Sequence, residues 1–230
     1  MSGGLHGKVL EVLGGEIAAG VHAPGSVLRI EQLEERFGIS RSVAREVVRT
    51  LASIRLVLGR KRVGIVVRPR EEWNSFDPML IRWRLAADRS AELKTLAELR
   101  TAVEPVAAAA AADRAKDDHA ARLVALAERM VATSRAGDLA AFMDADVEFH
   151  RLILTASGNE MFAQLHEVVE ELLRWRVGHG LMPVHPRPVA VRLHCEIAEC
   201  IRAGDRVRAE WAMRELVAEA LEGTLEGLES

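Results

Sequence analysis

Three arginines at a stride of four, Arg41, Arg45 and Arg49, interleave with three apolar residues at the same stride, Val43, Val47 and Leu51. A helix sorts these two rows onto different faces. The apolar row packs into a small domain. The basic row, with Ser42 beside it, presents three planar guanidinium forks to phosphates and base edges. Taken alone, the pattern equally suits an ordinary amphipathic helix with a solvated basic face. The neighbouring residues favour the first reading.

Upstream, Ile30, Leu33 and Phe37 have the spacing of a short amphipathic helix that ends at Gly38, and Ser40 is placed to cap the arginine-bearing helix. Helix, glycine turn, helix is the arrangement in which the second helix enters the DNA major groove. Val9, Leu13 and Ile17 predict a preceding helix closed by Gly20 and followed by a Pro24-Gly25 turn. Residues 55–58 and 64–67 predict two short strands, with Gly59-Arg60-Lys61-Arg62 as a basic hairpin tip. Together these elements make a winged helix-turn-helix whose wing follows a phosphate backbone or reaches into the minor groove.

The charge distribution agrees. The chain is formally -3, yet residues 1–70 hold 12 Lys and Arg against 6 Asp and Glu, which leaves an acidic remainder. One basic module on an acidic body is the footprint of a DNA-binding domain attached to something else, and its affinity should fall steeply with salt.

The run Ser40-Arg41-Ser42-Val43-Ala44-Arg45-Glu46-Val47-Val48, followed by Leu56-Val57 and a basic glycine-containing wing, resembles the GntR family of bacterial transcription regulators. It departs from the usual family pattern at Val43, where proline is common, and at Arg62-Val63-Gly64, where Gly-x-Gly is common. The resemblance implies that Ser40, Arg41, Ser42, Arg45 and Arg49 contact double-stranded operator DNA, assisted by Lys61, Arg62 and Gly64 in the wing.

From about Glu71 the chain is rich in Ala, Leu, Glu and Arg and predicts helices over approximately 77–88, 91–116, 117–136, 138–156, 159–178, 188–203 and 205–224. Breaks fall at Ser157-Gly158-Asn159 and across Pro183 to Pro188, and Asp117, Asp138 and Asp205 suit helix N-termini. The expected fold is mainly α: an N-terminal winged helix-turn-helix and a C-terminal antiparallel bundle of six or seven helices. The domain division is 1–70 for DNA binding, 71–87 for a linker and first docking helix, and 88–230 for effector binding and dimerisation. No membrane span or signal peptide is evident, and Cys195 and Cys200 suit reduced, buried positions in a cytoplasmic protein.

Within the bundle, Asp146 and His150 are one turn apart, His194 lies on a later helix, and Arg100 on an earlier one. This spacing lets a carboxylate and an imidazole converge as in helix-borne metal sites. It also suits a surface pair, a satisfied core histidine, and an ion pair between Arg100 and Glu104. An Asp/His/His set with an open position could also activate water, which would make the chain a metal-dependent hydrolase. No further well-placed general base accompanies the set, and an enzyme would leave the winged helix unexplained.

Glu98-Leu99-Arg100, Glu104-Pro105, Asp146-x2-Phe149-His150 and His194-x5-Cys200 resemble the all-helical effector (FCD) domain of the FadR-type branch of the same family. The resemblance implies Asp146, His150 and His194 as ligands of zinc or another divalent cation, with Arg100 helping to hold an acidic effector. The usual fourth ligand falls at Leu216, so one donor is replaced by an apolar side chain. Two outcomes remain open: a three-donor metal site, or direct hydrogen bonding of a polar molecule by the same residues. The linker from Arg68 to Trp83 resembles that of sugar-acid-responsive regulators, so the implied effector is gluconate, galactonate or a related aldonate. Trp73, Phe76 and Trp83 within it equally suit docking of the linker on the bundle. The implied protein is a homodimeric repressor of a sugar-acid catabolic operon. The alternatives are a metal-responsive regulator or one that senses another small carboxylate.

Overall fold

The computed structural model describes residues 4–182 and 185–229, which separate into one compact unit up to Glu92 and another from Leu93 onward. Pro183, part of the second anticipated helix break, lies outside the described residues. The chain is mainly helical, with one small sheet, as its patterning predicts.

The N-terminal unit contains α1 (Leu5–Ala18), β1 (Val27–Leu28), α2 (Ile30–Phe37), α3 (Arg41–Ser53), β2 (Val57–Arg60), β3 (Gly64–Val67), a 3-10 turn at Arg70–Glu72, and α4 (Pro78–Ala87). Leu13, Val47, Leu51, Leu56 and Val67 are fully buried in its core. Ala44 is buried on α3 as well, whereas Val43 is only half-buried. Gly38 terminates α2 in the left-handed region at φ 61°, which glycine adopts without steric penalty. The Ser40 hydroxyl then accepts the Val43 N–H at 3.4 Å, capping α3.

The wing is a three-stranded antiparallel sheet in the order β1-β3-β2. The anticipated first strand starts two residues later than expected, and Gly59 and Arg60 belong to it rather than to the tip. Pairing settles the matter: Val57 faces Val67 and Arg60 faces Gly64, which leaves Lys61, Arg62 and Val63 as the turn. The two-residue β1 has too little sequence for periodicity to reveal, and it exists because Val27 and Leu28 pair with Val66 and Ile65. Gly64 has φ 126°, and a Cβ there would sit 2.9 Å from Val27 Cγ1 and 3.0 Å from the Leu28 carbonyl oxygen.

Two of the linker aromatics belong to the N-terminal core. Trp73 and Trp83 are buried in the N-terminal core, while Phe76 is exposed. The Trp73 indole N–H donates to the Arg68 carbonyl at 2.9 Å, and the Trp83 indole N–H donates to Glu11 Oε2 at 2.7 Å. Trp83 lies flat against Gly14, where a Cβ would meet its ring at 2.3 Å, so α4 packs on α1 only because position 14 has no side chain.

The second unit is built from α5 (Arg89–Arg114), α6 (Asp117–Ala136), α7 (Leu139–Ala156), α8 (Glu160–Ala163), α9 (His166–Gly178), α10 (Pro188–Ala203) and α11 (Arg206–Glu229). The segment expected as one helix over 159–178 is two, because α8 ends after one turn before α9 begins at His166. Asp138 and Asp205 cap α7 and α11 by accepting the N–H groups of Ala141 at 2.9 Å and Arg208 at 3.1 Å. Asp117 opens α6. The centre of the unit is α7, which buries Phe142, Met143, Ala145, Phe149 and Ile153 together with Asp146 and His150. Cys200 is buried, Cys195 is half-buried, and both are free thiols. Among the described residues no helix is long and apolar enough to cross a membrane.

Gly14→Ala separates helix propensity from packing. Alanine favours a helix by about 1 kcal/mol over glycine, but overpacking against Trp83 should cost about 1–3 kcal/mol. A net loss of stability in urea unfolding is expected, and a stabilised variant would refute the close α1–α4 contact.

Candidate functional site

Two surfaces concentrate the residues that the sequence singles out. The first is the exposed face of α3 with the wing. Arg41, Ser42, Arg45 and Arg49 are all exposed, as are Ser40 at the helix N-terminus and Lys61 and Arg62 at the wing tip. Their pairing differs. Arg41 leans back on α2, 3.0 Å from Glu31 and 3.8 Å from Glu34, and Arg49 lies 2.9 Å from Glu46 on its own helix. Arg45 makes no ion pair with a described residue. Exposed pairs of this kind contribute under about 1 kcal/mol, so a phosphate can displace them. The face therefore offers one free guanidinium and two loosely held ones, flanked by a hydroxyl pair formed by Ser40 and Ser42 at 2.9 Å.

The second surface is internal. Asp146, His150, His194, Arg100 and Glu104 are all buried, and the structure brings them together from α5, α7 and α10. Arg100 is held by Glu104 through both its Nε and a terminal nitrogen, the latter 3.3 Å from Oε2. Its fork is thus engaged within its own helix, as the i+4 spacing allowed, rather than standing free. Glu104 also approaches His150, whose Nδ1 lies 2.5 Å from Oε2 although out of line for a hydrogen bond. On the other side, Asp146 Oδ1 lies 3.4 Å from His150 Nε2 and accepts from His194 Nε2 at 2.9 Å. His194 Nδ1 bonds the Ala190 carbonyl at 2.7 Å. Phe149 stands edge-on to the His194 ring with centroids 5.1 Å apart, walling the cluster with apolar surface.

This environment shifts the charges strongly. Burial works against ionised Glu104, but Arg100 and His150 outweigh it and bring the carboxyl down to about 2. Burial also opposes a charged His150, and the Glu104 and Asp146 carboxylates overcome this to raise the imidazole to about 9. Asp146, despite burial, is drawn well below the carboxylate range by its hydrogen bonds to His150 and His194. The cluster is a self-neutralising network of buried charges, stable only because each member has a partner.

Asp146, His150 and His194 also converge as a donor set for a cation, with one ligand atom from each lying within 4.8 Å of the others. His194 Nδ1 is hydrogen-bonded to the Ala190 carbonyl, His150 Nδ1 lies beside Glu104 without a hydrogen bond, and both rings turn Nε2 towards Asp146. For His194 that is the outer arrangement which orients imidazole ligands in metal sites. A small divalent cation therefore fits, with three protein donors and an open position. Leu216 is 3% exposed in the apolar core and supplies no fourth donor.

The sequence reading missed one residue. Arg176 on α9 is 8% exposed, and its Nε has no hydrogen-bond partner. Burial first, and then the neighbouring Arg100, push its pKa down to about 10. The signal was present: Val169, Leu172, Leu173 and Arg176 share helical spacing, which places Arg176 at a core position.

Comparison with known proteins agrees with the two-part architecture. The gntR family of bacterial regulatory proteins matches residues 5–67, and the FCD domain matches residues 95–219. The chain is 31% identical over 219 residues to the galactonate operon transcriptional repressor of Escherichia coli (strain K12), covering 92% of this chain and 93% of that one. Among solved structures, the Listeria monocytogenes regulator Lar is similar with a TM-score of 0.57 at 20% identity, covering 98% of this chain and 99% of that one. A Streptococcus agalactiae GntR protein is similar with a TM-score of 0.53 at 24% identity, covering 94% and 99%.

Glu104→Gln should destabilise the helical unit by about 3–5 kcal/mol, because it leaves Arg100 and His150 buried without their shared carboxylate. Denaturant unfolding measures this, and a loss under about 1 kcal/mol would contradict the central place of Glu104.

Proposed function

This chain belongs to the GntR family of bacterial transcription regulators and carries an FCD domain, and on that premise we propose that it is a homodimeric repressor released from its operator by an aldonate such as gluconate or galactonate. Its likeness along 92% of its length to a galactonate operon repressor carries the reading. The buried polar cluster of α5, α7 and α10 supports it, since a hydroxylated acid needs both charged and hydrogen-bonding partners away from water.

On this reading Ser40, Arg41, Ser42, Arg45 and Arg49 meet the major groove, and Lys61, Arg62 and Gly64 bring the wing to the adjoining backbone. Two copies related by a two-fold axis read the halves of an inverted repeat. Val207 and Trp211, one turn apart on α11 and 77% and 51% exposed, offer apolar surface for such pairing. Asp146, His150 and His194 would hold a divalent cation, which when bound supplies a Lewis-acidic anchor for effector oxygens. Arg100 adds positive charge beside them. Release follows only if the effector binds one placement of the recognition helices better than the other. A second reading, metal-responsive regulation without an organic effector, is favoured by the convergence of the same three donors.

Two measurements test this. Arg45→Ala should weaken operator binding by about 1–3 kcal/mol while leaving thermal stability unchanged; retained affinity would remove α3 from the interface. A thermal-shift panel of aldonates, run with zinc and with EDTA, should show a rise with at least one aldonate through binding linkage. A shift with zinc alone, together with loss of DNA affinity on chelation, would transfer the case to metal sensing.

A further inference from the structure

We infer that Arg176 is the residue that takes the acidic group of the effector, and that the effector is a small hydroxylated carboxylate seated between α9, α10 and α11. This rests on the proposed effector function and specifies which side chain meets the ligand.

Arg176 is a buried cation without a bonded counter-charge. Its Nε has no partner, and its guanidinium makes no ion pair with a described residue. Asp146 and Glu219 attract it through space, but the bonds of the surrounding carboxylates go to other residues. Glu104 is taken by Arg100, Asp146 lies between two histidines, and Glu219 lies 3.5 Å from Arg187. A guanidinium left in this condition is costly. Arg100 adds to the cost by repelling it. A bound anion removes that cost, and the planar fork of arginine matches a carboxylate through two parallel hydrogen bonds.

The space around Arg176 suits such a ligand. On one side lies a narrow cavity of about 20 Å³ that Arg176 shares with Arg100, with room for about one water. On the other lies a cavity of about 540 Å³ bordered by Leu181, Arg187, Ala190 and Glu219. The larger volume falls within the range of small-molecule sites. Ala190 joins that cavity to the polar cluster, because its carbonyl holds His194 Nδ1 while Nε2 meets Asp146. A ligand with its acid on Arg176 meets Arg187 and Glu219, which line the same cavity and offer hydrogen-bonding groups for its hydroxyls. A long acyl chain would find the same two charges there.

Arg176→Met and Arg176→Lys separate this role from a structural one. Calorimetric titration would use gluconate, galactonate, citrate and the neutral polyol galactitol, alongside thermal unfolding without ligand. Arg176→Met removes an unpaired buried charge, so its unliganded Tm should equal or exceed that of the parent. Its carboxylate affinity should nonetheless drop by about 100-fold or more, the usual consequence of deleting one side of a buried charge pair. Arg176→Lys should retain weakened binding, and galactitol should not distinguish the three proteins. Unchanged carboxylate affinity in Arg176→Met overturns the inference while leaving an aldonate effector in place. Binding of citrate but of no aldonate, lost in Arg176→Met, upholds the clamp and removes the sugar-acid reading. Failure of the parent protein to bind any of the carboxylates overturns the clamp outright, as does a lowered Tm in Arg176→Met accompanied by normal binding.

Discussion

The contact of the Glu104 carboxylate with Arg100 and His150, deep inside the helical unit, is the interaction on which the rest of the site depends. It ties α5 to α7, and Asp146 extends the tie to α10 through His194. Burying so many ionisable groups is unfavourable unless each is neutralised nearby, so the positions of these side chains are mutually dependent. One result is that both imidazoles are held with Nε2 towards Asp146. Apolar walls from Phe142 and Phe149 keep water from screening the cluster and so keep its electrostatics strong.

Against that closed network, Arg176 is the odd charge. The same low-dielectric surroundings that strengthen the Glu104 pairs make an unpaired guanidinium expensive. The two facts belong together: beside charges that neutralise one another, a buried guanidinium with no bonded counter-charge among the described residues suits an anion. The DNA-binding unit shows a parallel contrast on its surface. Arg41 and Arg49 pair with carboxylates, and Arg45 makes no ion pair with a described residue. That unit presents its basic face by backbone devices rather than by strong side-chain pairs. Gly38 turns the chain, Ser40 starts α3, and Gly64 lets β1 approach the wing.

Much of this was legible from residue spacing because the relevant signals are local. The α3 rows, the Gly38 turn, the aspartate caps and the limits of α6 and α10 follow from propensity and capping, which act over a few residues. Asp146 and His150 were visible for the same reason, being one turn apart on one helix. The errors arose where pairing at a distance decides. The wing register placed Gly59 and Arg60 within β2, and β1 exists only through β3. Trp73 and Trp83 look alike as aromatic linker residues, and only the absence of a side chain at Gly14 directs Trp83 to α1.

The sequence alone therefore determined the family, the mainly helical class, the arginine-bearing helix α3 and the spacing of Asp146 and His150, because short-range patterns and side-chain chemistry are written along the chain. Only the tertiary structure decided which charges meet. It brought His150 against Glu104, joined His194 to Asp146, buried Leu216 in the core and left Arg176 without a bonded counter-charge among the described residues. The physical reason is that a buried charge is governed by its nearest counter-charge in space, and the helices that supply those counter-charges are separated by tens of residues in the chain.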